Sequence, residues 1–237
     1  MLFSHQGETC LFIHIPKTGG NTIQSAIIDA GLSCDEMVSG GFRDGVDRFE
    51  IRGSLTHRKH QSLSTYLLIK PSLNELKIYS CVRKPFERLV SFYYSPHRNM
   101  VLDERTGAYV FRQSPEFVEA DFMALIQSTM PAFQYLLPRD MRFTIKAIKR
   151  FPDLLPLLKS RVKSRYLSGV ERLRLNVLQT ESLSLQFSQT FGFGLPAASR
   201  NVSPFREEAR RVLGSRELRR FVEEESLHGL DLALFYP

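Results

Sequence analysis

The residues best placed to do chemistry run Pro16-Lys17-Thr18-Gly19-Gly20-Asn21-Thr22, between an apolar run, Cys10 to Ile15, and a helical pattern. Glycines let backbone N–H groups approach an anion without side-chain obstruction, and a helix start adds unsatisfied donors and the positive end of its dipole. Lys17 brings a full charge there, and Thr18 and Thr22 bring hydroxyl donors, so the chemistry indicated is phosphate binding. In the usual nucleoside-triphosphate loop Gly-Lys-Ser/Thr closes the motif, whereas here Lys17 precedes the glycines. Kinases and GTPases also need a magnesium-holding Asp near a second strand. The second apolar run, Lys77 to Val82, ends instead in Arg83, a cation suited to a second anionic group on the same ligand.

Two histidines lie between these loops. His57 and His60 can each take a proton from a hydroxyl, with an ordinary imidazole value of about 6.5. His14, inside the first strand, is expected in packing or in a supporting hydrogen bond. Arg88, four residues after Lys84 and beside Glu87, reads as a solvated helix residue.

The elements that must position these groups are legible from period and punctuation. Cys10 to Ile15 is short, apolar and stopped by Pro16, a buried strand. Ile23, Ala26, Ile27 and Ala30 make one helical face, with Gly31 as its stop. Residues 33 to 48, with Gly40, Gly41 and Gly45 and no period, read as a loop; Phe49 to Leu55 reads as a strand and Ser62 to Leu68 as a short helix. Lys77 to Val82 is a second buried strand, followed by Pro85 at a helix start and by Phe86, Leu89, Val90 and Tyr93 on one face. From Ser114 onward the pattern is mostly helical, broken into short helices by prolines 131, 138, 152 and 156, with one strand at Leu173 to Leu178 before a helix carrying Leu183, Phe187 and Phe191. Strand, turn and helix repeated in this way predict an α/β fold with a mostly parallel central sheet flanked by helices and a helix-rich C-terminal half. The basic clusters Lys159 to Arg165 and Arg206 to Arg220 read first as solvated helix faces and second as surfaces that steer an anionic partner.

Taken together, the two loop segments resemble the sulfotransferase superfamily that uses 3′-phosphoadenosine 5′-phosphosulfate (PAPS), especially its carbohydrate branch and soluble bacterial relatives. Phe12 to Thr22 is similar to that family's loop for the 5′-phosphosulfate, and Cys81 to Tyr94 to its 3′-phosphate motif, in which an arginine and a serine eight residues later grip the phosphate. Those two are Arg83 and Ser91. Lys59-His60 is similar to a Lys-His pair of the bacterial members, and weaker likeness extends to Val177–Leu183, Arg200–Ser203 and Asp231–Phe235. The family's usual Gly-Gly-Thr-Ser is here Gly19-Gly20-Asn21-Thr22, so one hydroxyl becomes an amide that still donates.

The resemblance implies one P-loop-like, three-layer domain over residues 1–237, with the ligand at the C-terminal ends of the strands. It implies transfer of a sulfuryl group from PAPS to a hydroxyl, releasing adenosine 3′,5′-bisphosphate (PAP). The donor would be held by Lys17, Thr18, Gly19, Gly20, Asn21, Thr22, Arg83 and Ser91; Lys17 and His60 would be catalytic, His60 as the base, and no metal would take part. The acceptor expected is a carbohydrate hydroxyl, with a peptide tyrosine or a small metabolite as alternatives, and nucleic acid is not expected as a partner. Outside that family, the residues leave a P-loop kinase or a non-catalytic protein for acidic polymers.

Bulk properties fit a globular chain. The 237 residues are 43% hydrophobic and 24% charged, far from the composition of disordered chains, and at this length roughly 70 to 75% of the unfolded chain's surface can be buried. A net charge of +7 favours anionic partners without specifying one. Cys10, Cys34 and Cys81 are odd in number with no C-x-x-C pair, which argues against a disulfide framework or zinc site and for a reducing compartment. No apolar stretch is long enough to span a membrane and no signal-like leader stands at the start, so the cytoplasm is the expected location.

Overall fold

The structure, a computed structural model, describes residues 1–39, 49–52, 55, 59–95, 100–106, 108–111, 116–138, 155–196 and 205–236. His57 and the segment 200–203 lie outside the described residues.

In chain order the strands are β1 (Leu2–His5), β2 (Glu8–Ile13), β3 (Glu36–Ser39), β4 (Phe49–Arg52), β5 (Lys77–Val82), β6 (Met100–Asp103), β7 (Ala108–Phe111) and β8 (Arg174–Gln179). The helices are α1 (Gly20–Asp29), α2 (Leu63–Ile69), α3 (Pro85–Tyr93), α4 (Glu119–Ser128), α5 (Ala132–Tyr135), α6 (Leu155–Val170), α7 (Leu183–Phe191), α8 (Arg206–Leu213), α9 (Arg216–Arg220) and α10 (Gly229–Phe235). The main sheet has four strands in the order β1-β2-β5-β8; β2, β5 and β8 are parallel and β1 joins the edge antiparallel. The fold is therefore α/β with a mostly parallel sheet.

The sheet is covered on both faces because its strands alternate two apolar sets. Leu11 and Ile13 of β2 and Ile78 and Val82 of β5 pack with Tyr66 of α2, Phe133 of α5, Val162 and Tyr166 of α6 and Leu230 of α10. Cys10 and Phe12, with Tyr79 and Cys81, pack on the opposite face against Ile23 and Ile27 of α1 and Phe187 and Phe191 of α7. Helix α3 carries a third cluster, Phe86, Leu89, Val90 and Tyr93, buried against Phe122 of α4, Val212 of α8 and Leu218 of α9.

Several expectations need correction. The first strand starts at Glu8 and ends at Ile13, since pairing rather than apolarity sets its limits; Ile15 is buried without being in the strand. Ahead of it lies β1, unread in the sequence, joined by Gln6 and Gly7 at φ 52° and 77°, both positive as in a tight hairpin turn. Residues 33–48 are not simply a loop, because Glu36–Ser39 pairs antiparallel with β4 in a separate two-stranded sheet. A second hairpin, β6-β7, has its turn closed by Asp103, whose carboxylate accepts from Arg105 N at 3.0 Å and Thr106 Oγ1 at 2.9 Å. Pro156 does not end a short helix. It sits in the first turn of the sixteen-residue α6, where a missing N–H costs nothing. Ala30 is exposed at the end of α1, not part of its buried face. Among the described residues no helix is long and apolar enough to cross a membrane.

Candidate functional site

β2 and β5 run side by side with Ile13 opposite Ser80, so the loop that follows one and the arginine that follows the other leave the same edge of the sheet. Between β2 and α1 the backbone takes left-handed conformations at Lys17, φ 67°, and at Gly19, φ 82°. Such residues turn successive N–H groups toward a common point, the pattern of an anion-binding nest. For Gly19 this costs little; for Lys17 it is a strained conformation that the surroundings must enforce. At the start of α1 the Gly19 carbonyl accepts from Thr22 N at 3.0 Å and Ile23 N at 3.2 Å. The N–H groups of Gly20 and Asn21 remain as first-turn donors without a partner inside the helix.

Thr18 behaves otherwise than its type suggested. Its side chain is fully buried and its hydroxyl donates to Ile15 O at 2.8 Å, so the donor is spent inside the loop. Its carbonyl is in turn bound from the far strand: Thr180 Oγ1, just past β8, lies 2.9 Å from Thr18 O and 2.8 Å from Val82 O. The single proton of this hydroxyl is shared between two carbonyls, linking the turn after β8 to the end of β5 and to the loop after β2. Next to it, Glu181 accepts from Lys84 N at 2.9 Å and from the Tyr236 hydroxyl at 2.8 Å, fixing the turn after β5. Thr180 and Glu181 were not picked out as site residues; only the weaker likeness over Val177–Leu183 pointed there.

Lys17 is half-buried and donates to Ser95 Oγ at 3.4 Å. Burial, with the Arg83 charge as the second cause, brings its ammonium down to about 8. Arg83 is itself half-buried, and burial lowers its guanidinium while Glu181 and Glu87 partly offset this. Its side chain makes no hydrogen bond or ion pair among the described residues, and a guanidinium carries five N–H donors. Asn21 and Thr22 open α1 half-buried, and Ser91 lies half-buried on α3.

Gly20 is required by a close approach. A Cβ there would come within 2.3 Å of the His14 ring, which is buried beneath the start of α1 and meets Gln24 Oε1 at 2.7 Å through Nδ1. His14 thus does both things expected of it, packing and supporting. His60 stands edge-on to the His14 ring with centroids 4.5 Å apart, and its Nδ1 lies 3.3 Å from the His14 carbonyl oxygen. A carbonyl accepts only, so Nδ1 carries the proton and Nε2 keeps a lone pair. The His60 side chain is exposed enough for a substrate to reach it. Desolvation pushes the imidazole down to about 4, with the charges of Lys59, Arg88 and Lys17 acting the same way and the His14 carbonyl opposing. The unperturbed value of about 6.5 therefore does not hold here.

Arg88 overturns its reading as a solvated helix residue. It is completely buried, and donates from Nε to Pro16 O at 3.0 Å and from Nη1 to Met130 O at 3.0 Å. On α3 it points away from the Phe86, Leu89, Val90 and Tyr93 stripe, because this helix is covered on its second side as well, by the loop that carries Lys17. Among the described residues no three His, Cys, Asp or Glu side chains gather as metal ligands.

Comparison of the chain with protein-family models, with curated proteins and with solved structures found no match.

Proposed function

We propose that this protein is a sulfotransferase of P-loop-like architecture that moves a sulfuryl group from PAPS to a carbohydrate hydroxyl. The observation that carries the reading is the pair Lys17 and Arg83. They stand at the ends of adjacent parallel strands, close enough for one charge to lower the other, with the Arg83 guanidinium unpartnered among the described residues. A ligand with two separate anionic groups suits this arrangement better than one with a single phosphate chain. A kinase reading is disfavoured by the same position, which holds a cation where a magnesium-binding carboxylate would be needed.

In this reading the N–H groups of Gly20 and Asn21, the nest at residues 17–19 and the Lys17 ammonium hold the 5′ end of the nucleotide, and Arg83 with Ser91 holds its 3′-phosphate. The side chains of Asn21 and Thr22 flank the same group; Thr18 contributes its backbone only. When bound, the nucleotide supplies an activated sulfuryl group with a phosphate as leaving group. His60 Nε2 takes the acceptor's hydroxyl proton as the acceptor oxygen bonds to sulfur. Lys17 neutralises the charge left on the phosphate oxygen as the sulfur–oxygen bond to it breaks. His14 keeps Nδ1 of His60 protonated and the ring in place. A sulfuryl group carries less negative charge than a phosphoryl group, so one ammonium and fixed backbone dipoles suffice for the electrostatic work.

Exposed Arg161 and Lys163 on α6 favour an acidic glycan as the acceptor. The test is transfer of labelled sulfate from PAPS, in chelator, to a panel of oligosaccharides, tyrosine peptides and simple phenols. Labelling of an oligosaccharide is the expected result; labelling of peptides or phenols alone overturns the acceptor class, and no labelling at all overturns the activity.

A further inference from the structure

We propose that Arg88 is the positioning residue of this site, its buried guanidinium holding the Pro16 carbonyl and thereby setting the backbone from which Lys17 projects. The inference rests on the reading of Lys17 as the cation beside the leaving group. It starts from a placement that packing alone does not favour, since a fully buried guanidinium loses its hydration and needs its hydrogen bonds and a counter-charge.

Arg88 has two hydrogen bonds and a counter-charge, while its Nη2 is buried without a hydrogen-bond partner among the described residues. Nε donates to Pro16 O and Nη1 to Met130 O, each at 3.0 Å, while Phe92 and Tyr135 flank the group with ring centroids 5.7 and 5.9 Å from its central carbon. The counter-charge is Asp231 of α10, also fully buried, which acts on Arg88 through space. Its own two oxygens accept from Ala132 N at 2.9 Å and Phe133 N at 2.8 Å, so it anchors the start of α5 beside Met130.

The Pro16 carbonyl belongs to the peptide whose nitrogen is that of Lys17. Pro16 fixes its own φ through its ring, and Arg88 fixes the orientation of the following peptide plane. Between them they hold Lys17 in the left-handed region, at φ 67°. Beyond the long contact of its ammonium with Ser95 Oγ at 3.4 Å, no side-chain hydrogen bond of Lys17 among the described residues keeps it there, and a lysine without this clamp relaxes to negative φ. Arg88, with the Ser95 contact, thus keeps Lys17 half-buried.

Arg88→Lys separates this role from mere packing, because it keeps charge and stem but cannot present two planar donors at fixed angles. The readout that needs no substrate is the titration of Lys17 in the unliganded protein, followed by NMR of 13C-methylated lysines and assigned with Lys17→Arg. The expected result is that Lys17 titrates near 8 in the parent protein and about one unit or more higher in Arg88→Lys, moving toward the ordinary lysine value. In parallel, kcat for sulfuryl transfer should fall about 10- to 100-fold, the scale of a small misplacement, with PAP affinity changed less than about threefold. Asp231→Asn, which removes the counter-charge and keeps an acceptor, serves as the second variant if Arg88→Lys does not fold, and should move Lys17 in the same direction. A folded Arg88→Lys or Asp231→Asn protein with a lower Tm but with the Lys17 titration of the parent protein overturns the proposal. Absence of PAP binding by the parent protein would instead overturn the functional reading, and the Lys17 titration would still decide the role of Arg88.

Discussion

The Nδ1 atom of His60 lies 3.3 Å from the carbonyl oxygen of His14, so a residue in the first strand's continuation sets the tautomer of a histidine 46 positions away. The His14 ring packs under Gly20 in turn, which makes the loop before α1 and the His60 side chain parts of one packed unit.

His60→Ala is expected to lower kcat by about 10² to 10⁴, the usual contribution of a general base, and to leave PAP affinity nearly unchanged. Steady-state kinetics with calorimetry of PAP binding checks this. Near-normal turnover would remove His60 from the mechanism.

The pH profile follows from two depressed values. His60 must be neutral to accept a proton, so kcat/KM should fall as pH drops through about 4. Lys17 must keep its proton, so kcat/KM should fall again as pH rises through about 8. Binding of an anionic nucleotide raises both values, so both limbs of the kcat profile should lie at higher pH than those of kcat/KM. For stability, burial holds His60 below its ordinary value and lowers His14 as well, while Asp231, raised to about 6 by burial, acts in the opposite direction. At His60, between 6.5 and about 4 the unfolded chain binds the more protons, and this group's effect is a loss of stability as pH falls through that window. Rate profiles over a wide pH range and denaturant titrations at several pH values check the two parts.

Gly20→Ala should be among the more damaging single-methyl additions in the chain, because the new Cβ meets the His14 ring at 2.3 Å. Overpacking of this kind costs about 1–3 kcal/mol, measurable by urea denaturation, and the displaced His14 should carry His60 with it and lower kcat. Gly31→Ala, at φ 69° with open space around its Cβ, should lose stability through backbone strain and leave kcat alone.

Arg83→Ala should weaken PAP about 10- to 100-fold, the loss of one charge-assisted hydrogen bond of roughly 1.5 to 3 kcal/mol, and weaken adenosine 5′-monophosphate much less. Equal losses for both nucleotides would show that Arg83 does not read a 3′-phosphate.

What the sequence revealed depended on how local the cause was. β5 is read to the residue, Lys77 to Val82, because a strand buried on both faces is a short, mostly apolar run, in which Ser80 is accommodated by donating to Ile13 O at 2.8 Å. The Ser62 hydroxyl, which accepts from Thr65 N at 3.3 Å, likewise marks the start of α2 in the sequence itself. β1 and β3 are short and owe their state to a partner strand, which no window of either one contains. In the site, the types of Lys17, Arg83 and His60 announced charge and proton chemistry. The spent hydroxyl of Thr18 and the Thr180 tie across 162 residues depend on long-range contacts. Arg88 was misread for the same reason: beside Glu87 and one turn from Lys84 it looks solvated, and only the loop and Met130 folding over its side of α3 bury it.

In the proposed function Lys17 and Arg83 form one site for a nucleotide with anions at both its 3′ and 5′ positions. Calorimetric titration of the protein with PAP in the presence of a magnesium chelator tests it most directly. One site per chain, affinity unaffected by magnesium, and clearly weaker binding of adenosine 5′-monophosphate are expected. No detectable heat with PAP, or binding that requires magnesium, would contradict it.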